Sequence, residues 1–201
     1  MDKQAKQYKD LTPLMKAARK GTSEEVSMIL EKKVDINATD VYGQTALHHS
    51  MWNENKEERF RIVSLLIVED ADIDAQCNRG FTPLITAVYC GVPLIVKMLI
   101  KCKANLDLQN SDGQTAVLLA VSIDNCLKNI DCSQILLDAG ANPFIWDNKG
   151  YGTSELVGST TDLSKYGGVE EGSSEIFFNR ELKAMIYHAK IKYQDKKLSK
   201  K

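Results

Sequence analysis

The sequence of 201 residues lacks the compositional features of fibrous, disordered or strongly charged proteins. Only 4 residues are proline and 7% are aromatic, whereas 43% are hydrophobic and 26% are charged, as in a folded domain. The 26 Lys and Arg nearly balance the 27 Asp and Glu, which gives a formal net charge of -1. Since the chain lacks a broad positive field, we expect no nucleic-acid partner.

Long hydrophobic runs and paired cysteines are also missing. The longest nearly apolar run, residues 92–100, contains Lys97 and falls short of the roughly 20 residues that cross a bilayer. The first residues lack the apolar core of a secretory signal, so we expect a cytoplasmic protein, with the nucleus as a further possibility. The 5 cysteines include no Cys-x-x-Cys pair, which argues against a disulfide framework or a zinc knuckle.

A short motif recurs through the first three quarters of the chain. Related triplets, Thr-Pro-Leu in its fullest form, begin at Thr12, Thr45, Thr82 and Thr115, with separations of 33, 37 and 33 residues. Each is followed by an apolar run and a second signature, such as VDINA at residues 34–38 and ADIDA at residues 71–75. A fixed period of this length indicates stacked structural repeats.

The repeating unit resembles that of the ankyrin repeat family, which reads roughly Asp-x-x-Gly-x-Thr-Pro-Leu-His, then Ile-Val-x-Leu-Leu, then Gly-Ala-Asp-x-Asn. The matching segments are DVYGQTALH at residues 40–48, IVSLL at 62–66 and ILLDAGAN at 135–142. The resemblance covers about residues 7–157, as four clear units and a decayed fifth that starts at Asp147. It implies an all-α solenoid of helix pairs with short β-hairpin tips.

The residues of each unit predict the same helix pair without the family name. Pro13 suits a first helical turn and Thr12 before it is a good N-cap. The inner helix that follows carries small residues, while the outer helix is bulky and amphipathic. In the third unit the outer helix is expected to bury one stripe, formed by Leu94, Ile95, Met98 and Leu99.

The chain departs from the family pattern at the end of the outer helix. The expected glycine is replaced by Lys33, Asp70 and Lys103 and is kept at Gly140. A left-handed residue normally closes a helix there, so each replacement predicts strain or a different cap.

Two further departures lie in the second and fourth units. Each is four residues longer than the others, and the extra residues, near 53–58 and 124–128, are expected to form elongated surface loops. His49 and Ser50 are polar where the family prefers Leu and Ala.

The chain is expected to have three parts: an ankyrin repeat domain at residues 1–157, a flexible Gly- and Ser-rich loop at 158–174, and an amphipathic helix with a basic tail at 175–201. This helix either caps the last repeat or docks on a partner. Its basic tail is either a solvated helix end or a patch for nuclear import or anionic membranes. Its apolar stripe comprises Phe178, Leu182, Met185, Ile186, Ala189 and Tyr193.

Catalytic and metal-binding patterns are lacking. The sequence has 3 histidines, and His48 holds the place of the family's structural His, while His49 and His188 have no companion at metal-ligand spacing. Phosphate-binding glycine loops and nucleophile elbows do not occur. We therefore expect no enzyme, and no catalytic, cofactor or metal site.

The resemblance implies that a protein partner contacts the hairpin tips and the exposed side of the inner helices. We expect Trp52 and Tyr89, in equivalent positions of adjacent units, to carry recognition. The predicted function is a monomeric adaptor or masking inhibitor; the alternative is a peripheral membrane or nuclear-import element acting through the basic helix. The full set of candidate partner-binding residues is Tyr42, Gln44, Trp52, Asn53, Arg79, Phe81, Tyr89, Asp112, Gln114, Ile123, Lys149 and Tyr151.

Overall fold

The computed structural model describes residues 11–153 and 174–199, with side chains for all of these except 123–130 and 174–182. The described residues form helices and turns without a strand, so the predicted all-α helix-pair architecture is confirmed. The helices are α1 (Pro13–Lys20), α2 (Ser23–Leu30), α3 (Ala46–Ser50), α4 (Lys56–Val68), α5 (Pro83–Tyr89), α6 (Pro93–Lys101), α7 (Ala116–Val121), α8 (Ile123–Ala139) and α9 (Ser174–Leu198).

The described residues divide into two compact units, with the boundary after Ala104. In the first unit the inner helices α1, α3 and α5 pack side by side, and the outer helices α2, α4 and α6 do the same. Each inner helix also packs on the outer helix of its own pair. In the second unit α7 packs on α8, and α8 packs on α9. Each helix therefore buries its apolar face by packing against neighbouring helices.

The inner helices begin as the threonine motif predicts. The hydroxyl oxygen of Thr12 accepts a hydrogen bond from the backbone N–H of Met15 at 3.2 Å. Thr82 accepts one from Ile85 at 3.1 Å. These bonds satisfy N–H groups that have no partner inside the helix, and they fix where each inner helix starts.

The outer helix of the third unit buries a different stripe from the predicted one. Ile95 and Leu99 are buried as expected, but Leu94 is 68% exposed, so the prediction is wrong at this residue. Val96, which is fully buried, takes its place. The core stripe therefore lies one position further along the helix.

The residues that replace glycine at the ends of the outer helices adopt the left-handed conformation. The φ angles are 54° at Lys33, 61° at Asp70 and 70° at Lys103, against 94° at Gly140. At Asp70 the turn is closed by the N–H of the next residue, which donates to the carbonyl of Leu66 at 2.9 Å. The predicted strain therefore lies in the backbone of these three residues, because a Cβ atom disfavours the left-handed region of φ and ψ.

The extra residues of the second and fourth units are mostly helical, and only residues 53–55 lie in a turn before the outer helix. Residues 56–58 form the first turn of α4, and the side chain of Asn55 caps it by accepting from Glu57 and Glu58 at 3.0 and 3.2 Å. Residues 124–128 lie inside α8, which has 17 residues. The prediction of surface loops is therefore wrong for residues 56–58 and 124–128. In the second unit the cap at Asn55 lets the added residues lengthen the outer helix.

The C-terminal helix α9 packs on α8. Ile186 is 3% exposed, and the ring of Tyr193 lies 6.1 Å from that of Phe144. The ammonium of Lys190 lies 5.2 Å from the same Phe144 ring. Ser174 opens this helix instead of ending the predicted loop, and residues 158–173 lie outside the described residues.

Candidate functional site

Three aromatic side chains of the second and third repeats touch one another; we call Trp52, Tyr89 and Phe81 the aromatic strip. The ring centroids of Trp52 and Tyr89 are 6.1 Å apart and those of Tyr89 and Phe81 are 6.2 Å apart, both edge to face. Such contacts are attractive beyond the area they bury. Trp52 remains 38% exposed and Tyr89 52% exposed, while Phe81 is half-buried. The strip therefore joins two repeats and presents ring surface to solvent.

An arginine stacks at each end of the aromatic strip. The guanidinium of Arg19 lies 5.8 Å from the centroid of the Trp52 ring, and that of Arg79 lies 5.3 Å from the centroid of the Phe81 ring. Both distances are within the range of cation–π attraction. One arginine therefore lies at each end of the strip.

His48 fixes the backbone at one end of the strip. Its Nδ1 accepts from the backbone N–H of Thr45 at 3.2 Å, so Nε2 carries the proton and donates to the carbonyl oxygen of Phe81 at 2.9 Å. Burial lowers the pKa of His48 despite the opposing bond to Phe81, which keeps the ring neutral near pH 7. The structural place predicted for His48 is confirmed.

His49 links the other end of the strip to a buried carboxylate. Its Nε2 lies 3.0 Å from Oδ2 of Asp40, and its Nδ1 lies 3.4 Å from a guanidinium nitrogen of Arg19. Burial lowers the pKa of His49, although the hydrogen bond to Asp40 opposes that shift. The neutral ring therefore donates to Asp40 and accepts from Arg19. Sequence reasoning missed this network, and the one signal was a polar residue where the family has Leu.

The hairpin tips of the second and third repeats interlock beside the strip. The backbone N–H of Asn78 donates to the carbonyl of Tyr42 at 2.9 Å, and its side-chain amide donates to Val41 at 3.1 Å. Gly43, at a φ of 73°, leaves room for this contact, since a Cβ there would lie 2.5 Å from Oδ1 of Asn78. Tyr42 is 54% exposed at this tip. Gln44, half-buried, is bound through its backbone to Asp40.

Asn53 does not lie on the exposed surface, so its prediction as a partner contact is wrong. It is 3% exposed, and its side-chain amide donates to the carbonyls of Ala18 and Gly21 at 3.3 and 3.1 Å. Asn53 therefore ties the second repeat to the first. Nothing in the local sequence distinguishes this role from an exposed one, because its acceptors lie more than thirty residues away in the chain.

These repeats match a known family model, described as "Ankyrin repeats (3 copies)", over residues 1–58 and 55–147. The chain belongs to the ankyrin repeat family. Ankyrin repeats form protein–protein interaction modules, and the fold is generally non-catalytic.

Individual ankyrin-repeat relatives agree with this assignment. The chain is 32% identical over 139 residues to the Neurogenic locus notch homolog protein 1 of Danio rerio, which is 69% of this chain and 5% of that protein. It is 33% identical over 133 residues to the notch homolog protein 2 of Homo sapiens, covering 66% and 5%. A B-cell lymphoma 3 protein homolog of Mus musculus is 30% identical over 123 residues, covering 61% and 27%. The chain thus spans a small part of each relative.

The remaining candidates belong to the fourth and fifth ankyrin repeats, in the second unit. Asp112, Lys149 and Tyr151 are exposed, Tyr151 by 44%, and Gln114 is half-buried. The backbone N–H of Asn148 donates to the carbonyl of Asp112 at 2.9 Å, so these two tips interlock like those of the first unit. Ile123 begins α8, and its side chain lies outside the described set.

Other kinds of site are not evident in the described part of the chain. In residues 11–153 and 174–199 no group of three His, Cys, Asp or Glu side chains could hold a metal ion. Over the same ranges no helix is long and apolar enough to span a membrane. Burial raises the pKa of Cys90 and of Cys132 to about 11, so both thiols are protonated at neutral pH.

Proposed function

We propose that this chain is a non-enzymatic protein-binding module, an adaptor or a masking inhibitor, that holds its partner on the aromatic strip and the neighbouring hairpin tips. The observation that carries the proposal is the contact of Trp52 with Tyr89, which places two exposed rings side by side across two repeats. Aromatic and arginine side chains dominate the binding energy of many protein interfaces.

The contacts of the strip favour a preformed site. Arg19 is bound to His49, and the backbone of Phe81 is bound to His48, so the groups beneath the strip are already in place. A side chain that is ordered before binding loses less entropy when the partner arrives. The four described free cysteines, Cys77, Cys90, Cys102 and Cys132, fit a reducing compartment, and we propose a monomer in the cytoplasm or nucleus.

The test is to capture partners with the full chain and with the double variant Trp52→Ala, Tyr89→Ala. A central aromatic anchor typically contributes about 2 kcal/mol, which is roughly thirtyfold in affinity, so the double variant should lose the partner. The matched control is Phe60→Ala with Leu94→Ala, which truncates two exposed side chains of the outer helices, 45% and 68% exposed. A strip variant that is folded by circular dichroism and still holds the partner would refute the proposal.

A second candidate function rests on the outer face of α9. Tyr187 and Ile191, one turn apart, are 65% and 42% exposed beside Lys192. Apolar side chains next to lysines suit a peripheral contact with anionic lipid. This function predicts salt-sensitive binding to phosphatidylserine vesicles that is lost when residues 190–201 are removed. Binding to an import receptor, lost with the same residues, would instead favour nuclear import.

A further inference from the structure

We infer that the partner segment held by the aromatic strip is acidic: an apolar anchor on Trp52 and Tyr89, and within about five residues a carboxylate that pairs with Arg79. This inference rests on the proposed function and adds the chemical class of the partner. It is carried by Arg79, at one end of the strip, which forms no ion pair with any described residue.

Arg79 is an exposed cation with a fixed position. Its guanidinium stacks 5.3 Å from the centroid of the Phe81 ring, and it forms no ion pair with any residue that the structure describes. A guanidinium that lies over a ring can still pair with a carboxylate through two parallel hydrogen bonds from its N–H groups.

The neighbouring hairpin tip of the second repeat offers Arg79 no free carboxylate. That tip exposes Val41 and Tyr42, by 64% and 54%. Asn78, which precedes Arg79 in the chain, is hydrogen-bonded to the carbonyl of Tyr42. The one carboxylate of that tip belongs to Asp40. Its side chain is 2% exposed and is bound to His49 and to two backbone N–H groups. It is therefore not available to Arg79.

The opposite end of the strip has a balanced charge. Arg19 is bound to His49 and lines a groove of about 800 Å³ together with Lys20, Trp52, Glu54 and Glu58. Two cations and two carboxylates share this groove, so it offers no net preference for an acidic group. A carboxylate is therefore favoured at the Arg79 end, which gives the bound segment a direction.

The distances along the strip set the spacing of the motif. The step from Tyr89 to Phe81 is 6.2 Å and the step from Phe81 to Arg79 is 5.3 Å, so the guanidinium lies at most about 11.5 Å from the Tyr89 ring. The Trp52 ring is one further step of 6.1 Å away, at most about 17.6 Å. An extended chain advances about 3.4 Å per residue, so at most about three residues separate the carboxylate from an anchor on Tyr89, and at most about five from an anchor on Trp52.

The experiment selects peptides from a displayed library of random dodecamers on the full chain. The selected peptides are expected to combine an aromatic or aliphatic anchor with Asp or Glu within five residues of it. A synthetic copy of a winner should bind about tenfold more weakly to the Arg79→Glu variant, since a charge-assisted hydrogen bond is lost and a repulsion is added. The matched control is Lys97→Glu, an exposed lysine of α6, which should leave the affinity within twofold.

A second experiment selects peptides from the same library on the Arg79→Glu variant. Lysine or arginine should replace the acidic position while the anchor is retained. Winners that depend on Trp52 and Tyr89 but lack an acidic position, or whose affinity is unchanged by Arg79→Glu, would overturn the inference and leave the proposed function standing. A wild-type selection whose winners bind the Trp52→Ala, Tyr89→Ala variant equally well would overturn both.

Discussion

The Nε2 of His48 lies 2.9 Å from the carbonyl oxygen of Phe81, so one side chain of the second repeat holds the backbone of the third. His48 is fully buried, and its other ring nitrogen is bound at the start of its own helix. Phe81 is the strip residue on which Arg79 stacks. The hydrogen bond that joins the repeats therefore also places one end of the candidate site.

Replacing His48 should weaken both the fold and the strip. His48→Ala leaves the Phe81 carbonyl and the Thr45 N–H without their buried partner and opens a cavity, so the free energy of unfolding should fall by about 2–4 kcal/mol. Urea unfolding measures this change. The control is His188→Ala, an exposed histidine of α9, which should stay within about 0.5 kcal/mol of the wild type. Equal losses for the two variants would contradict the role given to His48.

Stability should depend on pH through the two buried histidines. Burial lowers the folded pKa of His48 and His49 below the ordinary 6.5, so the unfolded chain takes up protons first as the pH falls. Their stabilising effect is complete above pH 6.5 and is lost as the pH drops from there towards the folded pKa values. Each group changes stability by at most about 1.4 kcal/mol per pH unit in that window.

The measurement is urea unfolding at pH 7.5 and 5.5 for the wild type and for His49→Gln. The glutamine cannot titrate, so this variant should show a smaller loss of stability between the two conditions. If the wild type and the variant lose stability equally, His49 does not titrate in the way its burial implies.

Glycine at the left-handed positions should stabilise the protein. Lys33→Gly, Asp70→Gly and Lys103→Gly each remove a Cβ from a residue with positive φ. We expect the free energy of unfolding to rise by about 0.5–1 kcal/mol per site, once the greater conformational entropy of glycine in the unfolded chain has been subtracted. Thermal unfolding of the triple variant should show a rise of several degrees.

The reverse change supplies the control for these substitutions. Gly140→Ala places a Cβ at a φ of 94° and should lower the melting temperature. A triple glycine variant that melts below the wild type would show that the side chains of Lys33, Asp70 and Lys103 stabilise the turns by more than the backbone strain costs.

The packing of α9 on α8 predicts that this helix stabilises the second unit. Ile186→Asp places a charge at a site that is 3% exposed, and it should lower the melting temperature and promote self-association. The matched control, Ile191→Asp, makes the same change on the same helix at a site that is 42% exposed and should be nearly neutral. An unchanged melting temperature and a monodisperse monomer for Ile186→Asp would instead favour a helix that serves a partner.

Much of the fold could be predicted because its causes are local. The threonine caps and the helix pairs follow from residues within a few positions of one another, and the left-handed turns follow from where the family places glycine. The prediction erred where the outcome depends on a distant contact or a competing cap. Asn53 is buried because Ala18 and Gly21 accept its amide hydrogens, and Asn55 turns an expected loop into the start of α4.

The sequence by itself determined the period, the helix pairs and the outward positions of Trp52 and Tyr89, because the same pattern returns in each repeat. The tertiary structure decided which of these residues meet. Trp52 and Tyr89 lie 37 positions apart in the chain, and their rings touch because α3 and α5 pack side by side. The tertiary structure also paired His49 with Asp40 and Arg19, since a polar residue in an inner helix is stable only where the fold supplies partners within hydrogen-bond reach.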